Sequence, residues 1–198
     1  MKRKLIVCAV WAVFLLIPAG CNPLLNFGVI VSNKFFRSGQ PDNEDLFVIK
    51  DKLKIKTILN LKVSVDGHEN KFAKKNKIRI IHMPMSAKRP PTNEQLNIFF
   101  DIIQNKSLYP LWMHCQGGAD RTGVMAAVYR LEFENWSKWS ALFEMIRYLH
   151  IPFRYPQLTR FIFFYERRFG SYQETPKELE ELKTYLQSQD LWEDKEKE

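Results

Sequence analysis

The chain has 198 residues, of which 45% are hydrophobic and 14% aromatic, and its formal net charge at pH 7 is +8. This length suits one domain with an appendage. The apolar content is that of a globular protein with ample core, and it excludes an intrinsically disordered chain. A basic surface favours phosphorylated or membrane-borne anions as partners. Because the lysines are scattered and no nucleic-acid motif is present, we do not expect a nucleic-acid partner.

The N-terminus has the pattern of an export signal. A cationic start, 1–4, precedes an uninterrupted apolar run, 5–17, which is short for a membrane span. Ala19-Gly20-Cys21 resembles a bacterial lipoprotein cleavage site, at which Cys21 becomes lipidated, although Pro18 stands where such sites usually have leucine. The pattern therefore predicts a protein of the bacterial cell envelope, tethered to the membrane through its N-terminus on the exported side.

Two alternatives to a lipoprotein stay open, namely an uncleaved N-terminal anchor and a cleaved, secreted form. The cysteine content favours the lipoprotein. Of Cys8, Cys21 and Cys115, processing at Cys21 would leave Cys115 as a free thiol without a disulfide partner. A lone thiol is a liability in an oxidising compartment unless the protein uses it.

After the leader, short apolar runs alternate with amphipathic segments. Strands are predicted at 26–32, 34–37, 57–61, 78–83 and 108–114. Helices are predicted from an Asp42 cap to about residue 54, at 67–76, from a Thr92–Gln95 capping box onward, and at 121–133, 138–150, 157–169 and 176–189. This alternation predicts an α/β fold with a central, mostly parallel sheet flanked by helices.

The chain is expected to have three parts. Residues 1–21 form the leader or anchor, residues 26–172 form the catalytic domain, and residues 173–198 form a C-terminal helix with a charged tail. In an open α/β sheet, ligands bind at the carboxyl ends of the strands. The segment that follows the strand at 108–114 is therefore the expected site.

That segment, from His114 to Gly123 (HCQGGADRTG), carries the strongest functional signal. Successive backbone amides and a helix N-terminus can bind an anion, and the same positive field favours the thiolate form of Cys115. Arg121, with five residues between it and Cys115, can hold two phosphate oxygens in a bidentate fork. The pattern predicts a thiolate nucleophile beneath a bound phosphate.

This segment resembles the signature loop of the cysteine-dependent phosphatase superfamily, which includes the protein-tyrosine and dual-specificity phosphatases. The pattern of His-Cys, five residues, Arg and then Ser or Thr is complete. The segment 35–41 (FFRSGQP) is similar to the entry segment of a bacterial, dual-specificity-like branch. The resemblance covers about residues 34–170. It implies a dual-specificity-like fold, attack by Cys115, a phosphocysteine intermediate and hydrolysis by water, without metal or cofactor.

The resemblance also assigns roles to the neighbours of Cys115. Arg121 and the loop amides bind phosphate, Thr122 donates a hydrogen bond to the leaving sulfur, and His114 supports the loop. The expected phosphate-binding residues besides Arg121 are Gln116, Gly117, Gly118, Ala119, Thr122 and Gly123.

No carboxylate occupies the loop in which most members of the superfamily carry their general acid. Here that loop, 84–91, reads PMSAKRPP. Asp120 is the substitute that we favour, because myotubularin lipid phosphatases carry an aspartate at the matching place, where it is taken as the acid. Its alternative role is to cap the following helix. Asp66, which is expected in a neighbouring loop, is the second candidate.

Basic residues stand where the carboxylate is missing. Lys88 and Arg89 could bind a second phosphate or a lipid head group, or could form a solvated basic turn. Chain order suggests that Arg154 and Tyr155 border the site from the far side.

Three functions are compatible with the sequence. The first is a phosphomonoesterase of phosphotyrosine proteins or, alternatively, of phosphoinositides and other lipid or polyol phosphates, which the tethered basic domain and Asp120 mildly favour. The second is a rhodanese-like sulfurtransferase, against which His114 and the Thr122-Gly123 pair argue. The third is an inactive phosphate-binding module, which the intact Cys115 and Arg121 disfavour.

Overall fold

Five short strands form one sheet in the order β1-β2-β5-β3-β4. The computed structural model describes residues 24–188, so the predicted leader with Cys21 and the end of the tail lie outside the described residues. The strands are β1 Gly28–Val31, β2 Phe35–Ser38, β3 Thr57–Asn60, β4 Arg79–His82 and β5 Leu111–His114. β2, β5, β3 and β4 are parallel, and β1 pairs antiparallel with β2 at one edge. The predicted α/β fold with a mostly parallel sheet is confirmed.

Helices cover both faces of this sheet. Their bounds are α1 Asn43–Leu53, α2 Gly67–Lys75, α3 Asn93–Gln104, α4 Arg121–Phe133, α5 Lys138–Arg147, α6 Pro156–Phe163 and α7 Pro176–Ser188. The predicted caps of α1 and α3 are both present, because Asp42 exchanges side-chain hydrogen bonds with Asp45, and Thr92 does so with Gln95. Within residues 24–188, no helix is both long enough and apolar enough to cross a membrane.

Several predicted elements are shorter in the structure, among them the first strand, which is predicted at 26–32 and spans Gly28–Val31. The strand predicted from residue 108 begins only at Leu111, after a 3₁₀ turn at Lys106–Leu108 and Pro110, which has no N–H to donate. α5 ends at Arg147 rather than 150, because Leu149 adopts a left-handed φ of 66°. α6 ends at Phe163 rather than 169, because the backbone of the following segment bonds to Glu132 instead.

The strand that leads into the signature loop is buried on both faces. Leu111 and Met113 of β5 pack into the larger core cluster, which includes residues of α3, α4, α5, α6 and α7. Trp112 packs in the smaller cluster with residues of α1 and α2. A strand covered on both sides is typical of parallel sheets, and this packing holds the end of β5 rigidly.

The register of the sheet aligns the carboxyl ends of its parallel strands. Ser38 of β2 and Asn60 of β3 both pair with His114 of β5, and Asn60 also pairs with His82 of β4. The segments that follow these four residues therefore leave the sheet at one edge. Cys115 lies at this edge, as predicted.

Candidate active site

The signature loop wraps around the sulfur of Cys115. The side chain follows β5 and is buried, and its Sγ accepts a hydrogen bond from the Gly118 amide at 3.3 Å. The loop ends at Arg121, the first residue of α4, so the unpaired amides of that helix terminus face the same site. Backbone amides and the positive end of α4 both favour negative charge here.

Contacts with its outer side hold the loop in shape. Asn26 Nδ2 donates to Gly117 O at 2.7 Å, Arg37 Nη2 donates to Gly118 O at 2.7 Å, and Gln40 N donates to Gln116 O at 3.0 Å. The C=O and N–H of a trans peptide point in opposite directions. The carbonyls of Gln116, Gly117 and Gly118 are held on the outside of the loop. The amide N–H groups of the residues that follow each of them, Gly117 to Ala119, therefore point toward the inside.

Gly118 is the position at which the loop requires glycine. Its φ is +71°, and a Cβ added there would lie 2.5 Å from Gly39 N and 2.8 Å from Ser38 O. A side chain would thus strain the backbone and clash with the end of β2. This close approach sets the loop against the strand that supplies Arg37.

Arg37 is a buried cation beneath the loop. Its guanidinium lies 3.9 Å from the centroid of the Tyr148 ring, and its Nε and Nη1 have no hydrogen-bond partner among the described residues. Burial lowers the pKa of Arg37, while Glu144 and Cys115 act in the opposite direction. Since arginine stays protonated in proteins, its charge stabilises a thiolate at Cys115.

His114 is fixed from behind by a buried carboxylate. Its Nε2 lies 2.7 Å from Oε1 of Glu69, and Asn60 Nδ2 donates to the other oxygen of Glu69 at 2.7 Å. The ring stacks on Trp112 with centroids 4.9 Å apart, and Nδ1 lies 3.3 Å from Cys115 O. An ionised carboxylate can only accept, so this chain of contacts sets the orientation of His114 at the start of the loop.

Asp120 does not cap α4. It occupies the N-cap position, yet its side chain makes no capping hydrogen bond. Its Oδ1 lies 2.7 Å from Nδ1 of His150, and Nε2 of His150 lies 3.0 Å from Oγ1 of Thr159 on α6. The imidazole is buried, whereas Asp120 is partly exposed. The carboxylate is therefore tethered to the α5–α6 loop and still reaches solvent.

Two polar groups of the loop are buried without a partner among the described residues. They are Nε of Arg121 and Oγ1 of Thr122. A buried polar group without a hydrogen bond costs about 1–3 kcal/mol. An oxyanion in the loop would accept from Arg121, and the Thr122 hydroxyl is free to donate to a sulfur or an oxygen beside it.

The remaining predicted residues lie outside this contact network. Asp66 caps α2 by accepting from His68 N at 2.8 Å, and this hydrogen bond lowers the pKa of Asp66. Lys88 and Arg89 are exposed after β4, and within residues 24–188 neither has a hydrogen bond or ion pair to the signature loop. In the same part of the chain, no group of three or more His, Cys, Asp or Glu side chains is placed to hold a metal ion.

A strand, an amide-lined loop around a cysteine, and a helix beginning at an arginine form the architecture of the cysteine-dependent phosphatase superfamily. The model of the family described as "Tyrosine phosphatase family" matches residues 22–182. The chain belongs to this family, and the resemblance seen in the signature loop is confirmed at that level.

Several named proteins are similar to this chain. The dual specificity protein phosphatase TpbA of Pseudomonas aeruginosa is 27% identical over 59% of this chain and 52% of its own length. The probable tyrosine-protein phosphatase DG1060 of Dictyostelium discoideum is 34% identical over 64% of this chain and 77% of its own. The catalytic domain of the PP-IP phosphatase SIW14 from S. cerevisiae, in complex with citrate, has a TM-score of 0.63 and 25% identity, covering 86% of this chain and 96% of that one. The chain spans about half the length of the TpbA sequences that it matches.

Proposed function

We propose that the protein hydrolyses phosphate monoesters through a phosphocysteine intermediate on Cys115. The observation that carries this proposal is the amide-lined loop with the buried sulfur inside it, held above the Arg37 cation. Cys115→Ser should abolish turnover of an aryl phosphate, and orthovanadate should inhibit the unaltered protein. Wild-type turnover by Cys115→Ser would refute the role of the nucleophile.

Two displacements at phosphorus make up the reaction. In the first, the thiolate attacks phosphorus while the ester P–O bond breaks, and the leaving oxygen takes a proton from Asp120. In the second, water attacks the phosphocysteine, gives a proton to Asp120, and the P–S bond breaks to release phosphate and the thiolate. Arg121 and the loop amides bind the three equatorial oxygens in both transition states.

His150 makes Asp120 suitable for both steps. When Asp120 loses its proton, the Nδ1–H of His150 donates to the newly formed carboxylate, which lies 2.7 Å away. This hydrogen bond strengthens as the negative charge develops, so it stabilises the transition state more than the ground state. The Thr159 hydroxyl, 3.0 Å from Nε2, keeps the imidazole in the orientation that this donation requires.

The substrate class divides between phosphotyrosine proteins and non-protein phosphates. TpbA is named a dual specificity protein phosphatase, and SIW14 of Saccharomyces cerevisiae is named an inositol diphosphatase. The basic Lys88–Arg89 pair in a loop without a carboxylate supports a polyanionic lipid or polyol phosphate. Rates on phosphotyrosine peptides, phosphoinositides, inositol polyphosphates and phosphatidylglycerophosphate, compared at equal concentration, decide between these classes.

Membrane tethering through the N-terminus is a separate part of the proposal. The leader sequence and Cys21 support it, and it places the domain on the exported side of the envelope. Cys21→Ser should move a lipoprotein out of the membrane fraction. Complete retention of Cys21→Ser in that fraction would contradict lipidation and favour the uncleaved anchor.

A rhodanese-like sulfurtransferase is the alternative that uses the same loop cysteine. A thiosulfate assay run beside the aryl phosphate assay separates the two activities, and we expect turnover of the phosphate alone.

A further inference from the structure

Two chain segments contact the signature loop. At the start of the described chain, Asn26 bonds to Gly117 O, and Leu25 O accepts from the amide of Gly39. From the α5–α6 loop, His150 reaches Asp120. Both segments therefore border the signature loop.

These flanking segments present large apolar side chains to solvent. Leu25 is 53% exposed in the first segment, and in the second Leu149 is 64%, Ile151 38% and Phe153 72% exposed. Single exposed apolar residues are common, but four on two segments that border one loop favour an interaction surface there. We call these four residues the mouth patch.

Exposed basic residues lie next to the mouth patch in the sequence and at the same edge of the sheet as the site. Arg147 and Arg154 are exposed at the two ends of the segment that carries its apolar residues. Lys88 and Arg89 are exposed in the loop that follows β4, at the edge of the sheet where the site lies. Apolar side chains bordered by Arg and Lys are what an anionic lipid surface binds.

The path of the chain brings the proposed tether to the same place. Asn26 contacts the signature loop and lies five residues after Cys21 in the sequence. Five residues span at most about 18 Å when fully extended. A lipid on Cys21 would therefore hold the mouth of the site within about 2 nm of the bilayer surface.

We propose that the mouth patch docks on an anionic lipid surface, so that the site opens toward the membrane. This rests on the tether in the proposed function, because the tether supplies the proximity and the patch supplies the orientation. Phosphate groups at the membrane surface would then lie closer to Cys115 than phosphates in solution. A second copy of the chain or a peptide on the mouth patch would give protein adducts in place of lipid adducts in a crosslinking experiment.

Phe169, whose ring packs on Phe100 and Phe133, serves as the control for Phe153 in this test. Both are exposed, at 72% and 57%, but Phe169 bonds through its amide to Glu132 near the end of α4. At 1.5 Å per residue, that end is about 17 Å along the helix axis from Arg121, where the loop lies. Phe169 is therefore a control on a surface remote from the mouth.

The first experiment places the photo-crosslinker benzoylphenylalanine at either position in the membrane-held, full-length protein. Phe153→benzoylphenylalanine should give lipid adducts by mass spectrometry, and Phe169→benzoylphenylalanine should give none. Equal lipid adducts at both positions, protein adducts at Phe153, or no adduct at Phe153 would each overturn the proposal.

The second experiment measures the affinity for lipid vesicles of protein that lacks residues 1–21, and so lacks both the apolar leader and Cys21. This protein should bind phosphatidylglycerol vesicles more tightly than phosphatidylcholine vesicles. Adding Phe153→Ser should weaken that binding about tenfold, whereas adding Phe169→Ser should not. Equal losses from both serine variants, or no preference for anionic vesicles, would contradict the docking. Turnover of a soluble aryl phosphate is measured in parallel, so that a failure of the phosphatase chemistry is distinguished from a failure of docking.

Discussion

Replacing His150 tests the proton-transfer machinery without touching the nucleophile. His150→Leu removes the ring nitrogen 2.7 Å from Asp120 and leaves Thr159 without its partner, while Cys115 and Arg121 are unchanged. His150→Asn is the conservative control, because an asparagine amide can present an N–H close to the position of Nδ1.

The expected loss follows from the type of hydrogen bond. A hydrogen bond to a charged group contributes about 1.5–3 kcal/mol net, and this one is formed by a buried imidazole. If it develops its full strength only when Asp120 becomes ionised, its loss slows P–O cleavage by about 10- to 150-fold. His150→Asn should recover much of that rate.

Leaving-group dependence is the appropriate assay. Phosphate esters of weakly acidic alcohols need a proton on the leaving oxygen, whereas a p-nitrophenolate leaves without one. His150→Leu and Asp120→Asn should therefore slow phenyl or alkyl phosphates strongly and p-nitrophenyl phosphate little, with a steeper dependence of kcat/KM on leaving-group pKa.

An equal loss for good and poor leaving groups would refute the reasoning, since it would show a structural role for His150 and no acid role for Asp120. Thermal unfolding of each variant separates the two effects. A variant that melts like the unaltered protein and still shows the steeper dependence supports proton transfer.

Three further predictions concern the scaffold. Gly118→Ala should lower kcat/KM by at least tenfold and lower the melting temperature, because its Cβ would meet the end of β2 within 3 Å. Glu69→Gln should reduce kcat, because an amide cannot accept at both oxygens as Glu69 does beside His114 and Asn60, and urea unfolding should show a loss of about 2 kcal/mol. Glu132→Gln should destabilise the protein by about 2–3 kcal/mol in urea unfolding at pH 7, because its two oxygens accept from four donors and an amide would face two of them with its own N–H groups. Burial raises the pKa of Glu132, but the hydrogen bonds from Tyr165 and from the backbone after α6 outweigh burial and hold this pKa below its usual value. The stabilisation is therefore present above about pH 4.5 and is lost as the pH falls through the lowered pKa. Glu132→Gln should reduce this loss of stability in acid.

The fold and the loop were predictable because their signals are local. The capping boxes at Asp42 and Thr92 lie within four residues, and the signature loop is contiguous. The errors in length arose where distant groups intervene. α6 ends early because Glu132, more than thirty residues upstream, accepts the backbone N–H groups that follow the helix.

The partners of the loop could not be identified from sequence for the same reason. Arg37, Glu69 and His150 come from a strand, a helix and a loop that are far apart in the chain, and each contacts a different part of the signature segment. An arginine inside the apolar run FFRS was the one visible hint, because a charge in a buried strand must have a partner.

Asp120 shows why these partners matter for the chemistry. By position alone it was either a helix cap or an acid, and both uses are common for an aspartate before a helix. The structure removes the first use, since the side chain makes no capping bond, and gives the carboxylate a buried imidazole at 2.7 Å. A helix-capping carboxylate needs no such partner. A general acid that gives up and regains a proton at each turnover would be held in position by a fixed polar group beside it. The acid role of Asp120 stays a prediction, and the contact with His150 makes His150 the residue whose replacement tests it.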